Sequence, residues 1–436
     1  MPSELANKLS AIHNEAKALW DDKVTDEIKT IFKKNYEAFI NDDNASLIAD
    51  GFPRFYARME LGKDIAPEFK PGATPGISPD GNIDSDGKYE KYDLGWEEAG
   101  LVFIKNLLDL KYVDLTLPAQ AADYAPLIIP DDAKIGLIGD WGTGDWQGNN
   151  TPAYQVSAAL TSKVNPEVVV HVGDVYYYGA ENQYKDNFLN DFPSGSLASF
   201  NLNSNHDMYS VAVPYFNAVP TSPFGKQGNT SYFAMTNSNW IIVGLDTAYL
   251  SSVEDAFLYG SLGKVDMFSH DLIHNEQTKF LTKMVDQAVT DNKQLVIMTH
   301  HTGYSGAGMA NKVPVLPFSH KTLWHQVKKL LAPYLANNTA YWYWGHAHSG
   351  YTLNEIDNIR SRCVGHGAVP WGKGSDFFIG KGSNIEWFEQ TPMPSTPPQT
   401  MNGFMSVHLK DAAIKEKYYT QDGDVTYTAI NGVMQK

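Results

Sequence analysis

The chain has 436 residues, 43% of them hydrophobic and 19% charged, enough for one large catalytic domain plus an extension. A formal net charge of −16 argues against bulk binding along a nucleic-acid backbone, which needs clustered Lys and Arg, although metal cations in a pocket could still attract small phosphate esters. The one cysteine, Cys363, excludes an internal disulfide and a cysteine-rich metal site, and no apolar stretch reaches the roughly 20 residues that span a bilayer.

Residues 1 to about 60 read as helical: Leu9 and Ile12, then Ile28, Ile31, Phe32 and Phe39, fall at the spacing of an amphipathic face. The first 20 residues lack the apolar core of a secretory leader, so the expectation is a cytoplasmic protein, or a secreted one if the chain is a trimmed mature form. Residues 62–95 are rich in Gly, Pro and Asp and read as a long loop. Inside it, Asn82, Asp84, Asp86, Gly87 and Asp93 approach the spacing of a calcium-binding EF-hand loop. The Pro-rich sequence ahead of them leaves no room for the entering helix, and a solvated Asp/Gly loop is the favoured reading. A second helix is expected from residue 96 to about 110, and nothing in residues 1–130 is catalytic by itself.

The pattern changes at Lys134. Short apolar runs recur, each followed by a polar residue: 135–138 before Asp140, 168–172 before Asp174, 240–245 before Asp246, 295–298 before His300 and 341–344 before His346. Runs this short, rich in Val, Ile and aromatics, are buried strands, and α/β sheets place ligand sites at the carboxyl ends of such strands. Helices are expected at 153–163, 275–291 and 321–337, and three strands at 404–409, 414–420 and 425–430, with a turn at Gln421-Asp422-Gly423. The division is therefore a helical extension over 1–130 and a catalytic domain over 131–436.

Five segments carry the chemistry: Gly139-Asp140-Trp141-Gly142, Gly173-Asp174-Val175-Tyr176-Tyr177, Asn205-His206-Asp207, Thr299-His300-His301 and Gly345-His346-Ala347-His348. Their carboxylate, imidazole, amide and phenol groups suit Mn, Fe or Zn. A two-metal hydrolase needs one shared bridge and about three further ligands per ion, and these segments supply that number.

The order and wording of the segments resemble the calcineurin-like metallophosphoesterases, and more narrowly the purple acid phosphatases, over roughly residues 132–436. The resemblance implies a four-layer αββα sandwich with the helical extension packed against it. It also implies that Asp140, Tyr177 and His348 hold a first ion, usually ferric iron, and that Asn205, His300 and His346 hold a second, Fe, Zn or Mn. Asp174 would bridge the two. Gly142 stands where other branches place a metal-binding His, and Tyr177 would take over that role. Two positions depart from the pattern: Ser204 replaces the glycine before Asn205, and His301 is a second imidazole beside His300. His300, the first residue past its strand, is the favoured ligand, leaving His301 to contact substrate or to support the ligands from behind.

His206, beside a ligand but not one itself, fits a general acid that protonates the leaving alcohol, oriented by Asp207. His171 and Asp246 read as structural, and His366 as structural or at the pocket's edge. The expected activity is hydrolysis of phosphate monoesters by a metal-bound hydroxide, with a small phosphate ester as the partner. Alternatives are a phosphodiesterase or nucleotide hydrolase on the same metal core and, more remotely, a non-catalytic metal-binding protein.

Overall fold

The computed structural model describes residues 124–144, 151–249, 275–304, 321–369, 372–394 and 399–435, together with helical stretches and short pieces of residues 3–109. Most of the calcium-like loop at 82–93 and most of residues 303–312 lie outside the described residues.

The N-terminal region contributes helices α1 (Ser3–Asp22), α2 (Phe52–Leu61) and α3 (Gly95–Asp109). Leu5, Leu9, Ile12, Ala16 and Trp20 of α1 are buried at three- and four-residue steps against Phe55 and Met59 of α2 and Leu101 and Ile104 of α3. Beyond it, strands β1 (Leu127–Ile128) and β2 (Lys134–Ile138) lead into helix α4 (Pro152–Val164), then β3 (Val168–His171) and β4 (Ala198–Asn201). Pro152 opens α4, where its missing N–H costs nothing, and Asn165 ends it in the left-handed conformation at φ 47°. The short helix α5 (Asn205–Tyr209) is followed by β5 (Phe233–Thr236), β6 (Trp240–Leu245), α6 (Asn275–Thr290), β7 (Gln294–Thr299), α7 (Lys321–Leu335) and β8 (Ala340–Trp344). The remaining strands are β9 (Gly350–Leu353), β10 (Ile359–Val364), β11 (Ile385–Phe388), β12 (Gly403–Lys410), β13 (Ala413–Thr420), β14 (Val425–Ile430) and β15 (Val433–Met434).

Two mixed sheets result, ordered β11-β9-β10-β8-β7-β6-β5-β1 and β15-β14-β13-β12-β2-β3-β4. The alternation of side chains decides what each face meets. Ile135, Leu137, Val168 and Val170 of one sheet pack against Ile242, Val296, Met298, Tyr341 and Tyr343 of the other and form the core between them. The opposite faces bury Ile241, Val243, Leu295 and Ile297 under α6 and α7, and Ile138 and Val169 under α4. Each fully buried large apolar side chain contributes about 1.5–3 kcal/mol, so both faces of every central strand hold the layers together. The architecture is the expected αββα sandwich with a helical N-terminal region.

The topology brings the chemistry to one end. β2, β3 and β4 are parallel neighbours, with Ile138 opposite His171 and His171 opposite Asn201. In the other sheet β7 and β8 are parallel, with Thr299 opposite Trp344. Their carboxyl ends release Asp140, Asp174, Asn205, His300 and His346 into the same region.

Candidate metal centre

Three of these residues leave their strands with left-handed backbones: Asp140 at φ 56°, Asp174 at φ 79° and His346 at φ 66°. Non-glycine residues adopt this conformation rarely, and its cost of order 1–3 kcal/mol is tolerated where surrounding structure enforces it, above all at functional sites. Here backbone hydrogen bonds enforce it. The Asp140 N–H donates to the Gly173 carbonyl at 2.9 Å, and the His346 N–H donates to Asp140 Oδ2 at 2.8 Å, tying the two sheets together.

Two ligand groups result. The ligand atoms of Asp140, Asp174 and His348 lie within 4.8 Å of one another, as do those of His300, His301 and His346. Asp174 stands between the groups: its Oδ1 is 3.2 Å from His300 Nε2, while its Oδ2 is 3.0 Å from the Tyr176 hydroxyl. His300 Nδ1 donates to the Val172 carbonyl at 2.8 Å, which fixes the tautomer and leaves Nε2 as a lone-pair donor. Nε2 faces Asn205 Oδ1 at 2.8 Å, and that amide is oriented by its Nδ2, which donates to the Tyr209 hydroxyl at 3.2 Å. With His300 neutral these are two facing acceptors in a buried site, which a cation bound to both would satisfy.

The carboxylates make the same point. Asp140 and Asp174 are both fully buried. Burial, and then the neighbouring Asp174 charge, hold the Asp140 carboxyl well above its ordinary range. Burial opposes the Asp174 charge too, but His206, His300 and His346 outweigh it and hold that carboxyl well below the ordinary range. A pair of buried acids with one reluctant to ionise fits a site built around multivalent cations, whose charge would keep both deprotonated.

The tyrosine at the first group is Tyr176, not the expected Tyr177. The Tyr176 hydroxyl lies 3.4 Å from Asp140 Oδ1 and 2.9 Å from His348 Nε2. The Tyr177 ring instead packs 4.6 Å from Tyr89 and 5.1 Å from Trp96 between ring centres. A Cβ at Gly142 would come 2.8 Å from the Val175 Cα and 2.9 Å from the Asp174 carbonyl, so no side chain fits from that position.

His206 is buried beside the first group, with Nε2 3.8 Å from Asp174 Oδ2. Its Nδ1 donates to the Tyr177 carbonyl at 2.7 Å, so Nε2 is the atom turned toward the ligands. The expectation that Asp207 orients it is corrected: the Asp207 carboxylate accepts from the Tyr184 hydroxyl at 2.6 Å and from Ser204 Oγ, and makes no hydrogen bond to His206. Burial pushes Asp207 up to about 7. Ser204, where the resemblance expects glycine, is accommodated without strain. Its backbone is extended at φ −139°, and its side chain caps α5 by accepting from the Asp207 N–H.

His301 is buried in the second group, its Nδ1 3.0 Å from Thr247 Oγ1. His171, Asp246 and His366 stay outside both groups. His171 Nδ1 meets Asn201 Oδ1 at 2.8 Å, Asp246 accepts from the Ala248 and Tyr249 N–H groups, and the His366 ring lies against Tyr418. Missed from sequence were Tyr176, hidden in a run of three tyrosines, and Thr247, Tyr209 and Trp96, which touch the site from elements with no motif.

Among the described residues, no helix is long and apolar enough to cross a membrane. The calcineurin-like phosphoesterase family matches residues 133–350, which include every candidate ligand named above. Purple acid phosphatase 3 of Arabidopsis thaliana is 24% identical over 304 residues, 67% of this chain and 75% of that protein. The solved structure of GAP50, the anchor in the inner membrane complex of Plasmodium, aligns with 70% of this chain and 90% of its own at 15% identity and a TM-score of 0.46. With its two sheets and its carboxylate–imidazole groups at their shared end, the chain belongs to the calcineurin-like phosphoesterase family of metal-dependent hydrolases.

Proposed function

We propose that the protein hydrolyses phosphate monoesters at a dinuclear metal centre of the purple acid phosphatase kind. The observation that carries this reading is the placement of Asp174, with one oxygen toward His300 and the other toward Tyr176. Asp140, Tyr176 and His348 would hold one ion, ferric iron. Asn205, His300 and His346 would hold the other, Fe, Zn or Mn, with Asp174 shared. Such ions supply Lewis acidity and lower the pKa of water by many units.

The chain's own residues do the rest. The Val172 carbonyl and the Tyr209 hydroxyl orient His300 and Asn205, so the ligands need not reorganise during reaction. His206, its Nδ1 hydrogen committed to the Tyr177 carbonyl, holds a proton on Nε2 and delivers it to the departing alkoxide. His301, steadied by Thr247, faces the same space and contacts the phosphate oxygens.

Kinetics with p-nitrophenyl phosphate and bis-p-nitrophenyl phosphate on metal-loaded protein test the reading. A kcat/KM clearly higher for the monoester is expected. Preference for the diester would favour a phosphodiesterase on the same residues, and no turnover of either would favour a binding protein.

A further inference from the structure

The family match begins at residue 133, yet the site is touched by residues well before it. α3 opens with Gly95 and Trp96. The buried Trp96 indole lies 5.6 Å from the His206 ring and 5.1 Å, edge-on, from Tyr177, whose carbonyl holds His206 Nδ1. Gly95 permits that approach, because a Cβ there would come within 2.4 Å of the Tyr177 ring. Tyr89 fastens the same turn: its hydroxyl donates to the Thr143 carbonyl at 2.6 Å and accepts from Asn187 Nδ2, which also donates to the Tyr176 carbonyl.

The far part of α3 braces Tyr209, which in turn packs against His206. Asn106 Nδ2 donates to the Tyr209 carbonyl, and Phe103 packs edge-on against the Tyr209 ring at 5.6 Å. That ring lies 4.9 Å from His206, and its hydroxyl orients the Asn205 amide. The imidazole is thus enclosed by Trp96, Tyr176 and Tyr209, with two of these three walls supplied or braced by α3.

We propose that the N-terminal helix α3 is a working part of the catalytic centre, with Trp96 as a positioning residue that fixes the His206 imidazole for proton delivery to the leaving group. The proposal rests on the reading of His206 as the general acid. A proton donor works only within hydrogen-bond reach of the departing oxygen, and misplacement by about 1 Å can cost on the order of 100-fold. Loss of Trp96 should therefore matter where protonation matters and nowhere else.

The experiment compares Trp96→Ala, Trp96→Phe and His206→Ala in the full-length, metal-loaded protein. Kcat is measured on an alkyl phosphate and on p-nitrophenyl phosphate, alongside metal content. The expected result for Trp96→Ala is a loss of about 10- to 100-fold on the alkyl ester and at most a few-fold on the aryl ester, with unchanged metal content. Trp96→Phe, which keeps an aromatic wall, should recover most of the loss. An equal loss on both esters, or a loss that follows the metal content, would overturn the proposal. If Trp96→Ala does not fold, Asn106→Ala, which acts on the same imidazole through Tyr209, must show the same selective loss, and a uniform loss there would overturn it. His206→Ala separates the two claims. Without leaving-group selectivity in that variant the acid assignment itself falls; with selectivity there but none in Trp96→Ala, only the role of α3 falls.

Discussion

Tyr176 and His348, 172 positions apart in sequence, meet at the site with the phenol oxygen 2.9 Å from Nε2. The same oxygen lies 3.0 Å from Asp174, so Tyr176 occupies the place that a ligand of the first ion would fill. A phenolate on ferric iron absorbs visible light by charge transfer, and the iron-loaded, oxidised protein should be pink to violet. Tyr176→Phe should abolish the colour, whereas Tyr177→Phe, which keeps the ring packed against Tyr89 and Trp96, should keep it. Absorption spectra of the two variants decide between the neighbours: colour lost in Tyr177→Phe and kept in Tyr176→Phe would reverse the assignment.

His206→Ala should retain its metals and lose activity by about 100- to 10,000-fold toward alkyl phosphates, the scale of a removed general acid. The loss should shrink for p-nitrophenyl phosphate, whose leaving group needs little protonation. Steady-state kinetics on both esters check this, and a loss of equal size would remove His206 from the role. Asp207→Asn should be milder in catalysis, because its carboxylate serves Ser204 and Tyr184 and does not touch His206.

Acid should destabilise the metal-free protein through its buried imidazoles. Burial lowers the His171 pKa from 6.5 to about 4. Between these values the unfolded chain binds a proton that the folded chain does not, so this contribution is fully present above about 6.5 and declines as pH falls toward 4. One such group gives a slope of about 1.4 kcal/mol per pH unit in that window. Urea unfolding from pH 4 to 7 should show His171→Leu losing about one proton's worth of slope. His366, also lowered to about 4 by burial, accounts for part of what remains. An unchanged slope would mean that His171 is not held neutral.

The sequence was most informative where physics is local. Apolar runs ending in Asp140, Asp174, His300 and His346 could be recognised as strand ends because burial on both faces requires such runs, and all four appear at the shared end of two sheets. Tyr176 could not be chosen over Tyr177 in this way. Which of two adjacent phenols turns inward depends on the turn that follows β3 and on the packing of Tyr177 against Tyr89 and Trp96, all tertiary facts. Asp207 was misread for a related reason: adjacency to His206 in the chain suggested contact, but on α5 their side chains diverge, one to Tyr184 and the other to the Tyr177 carbonyl. The role of α3 was invisible because Trp96 and Asn106 belong to no motif.

The two ligand groups should differ in their response to mutation. Asn205→Ala removes the amide oxygen that faces His300 in the second group, and should release about one metal ion per chain while the colour of the first site persists. Asp174→Asn weakens the residue facing both groups, and should release both ions together. Elemental analysis after dialysis, paired with the visible spectrum, checks each variant. Loss of both ions from Asn205→Ala would contradict separate sites.

The central claim is a shared, dinuclear centre, and the most direct measurement is a crystal structure of the metal-loaded protein with anomalous scattering at the iron, zinc and manganese edges. Two anomalous peaks on either side of the Asp174 carboxylate are expected, one against Asp140, Tyr176 and His348 and the other against Asn205, His300 and His346. A single peak, or none within reach of Asp174 after loading, would contradict the account.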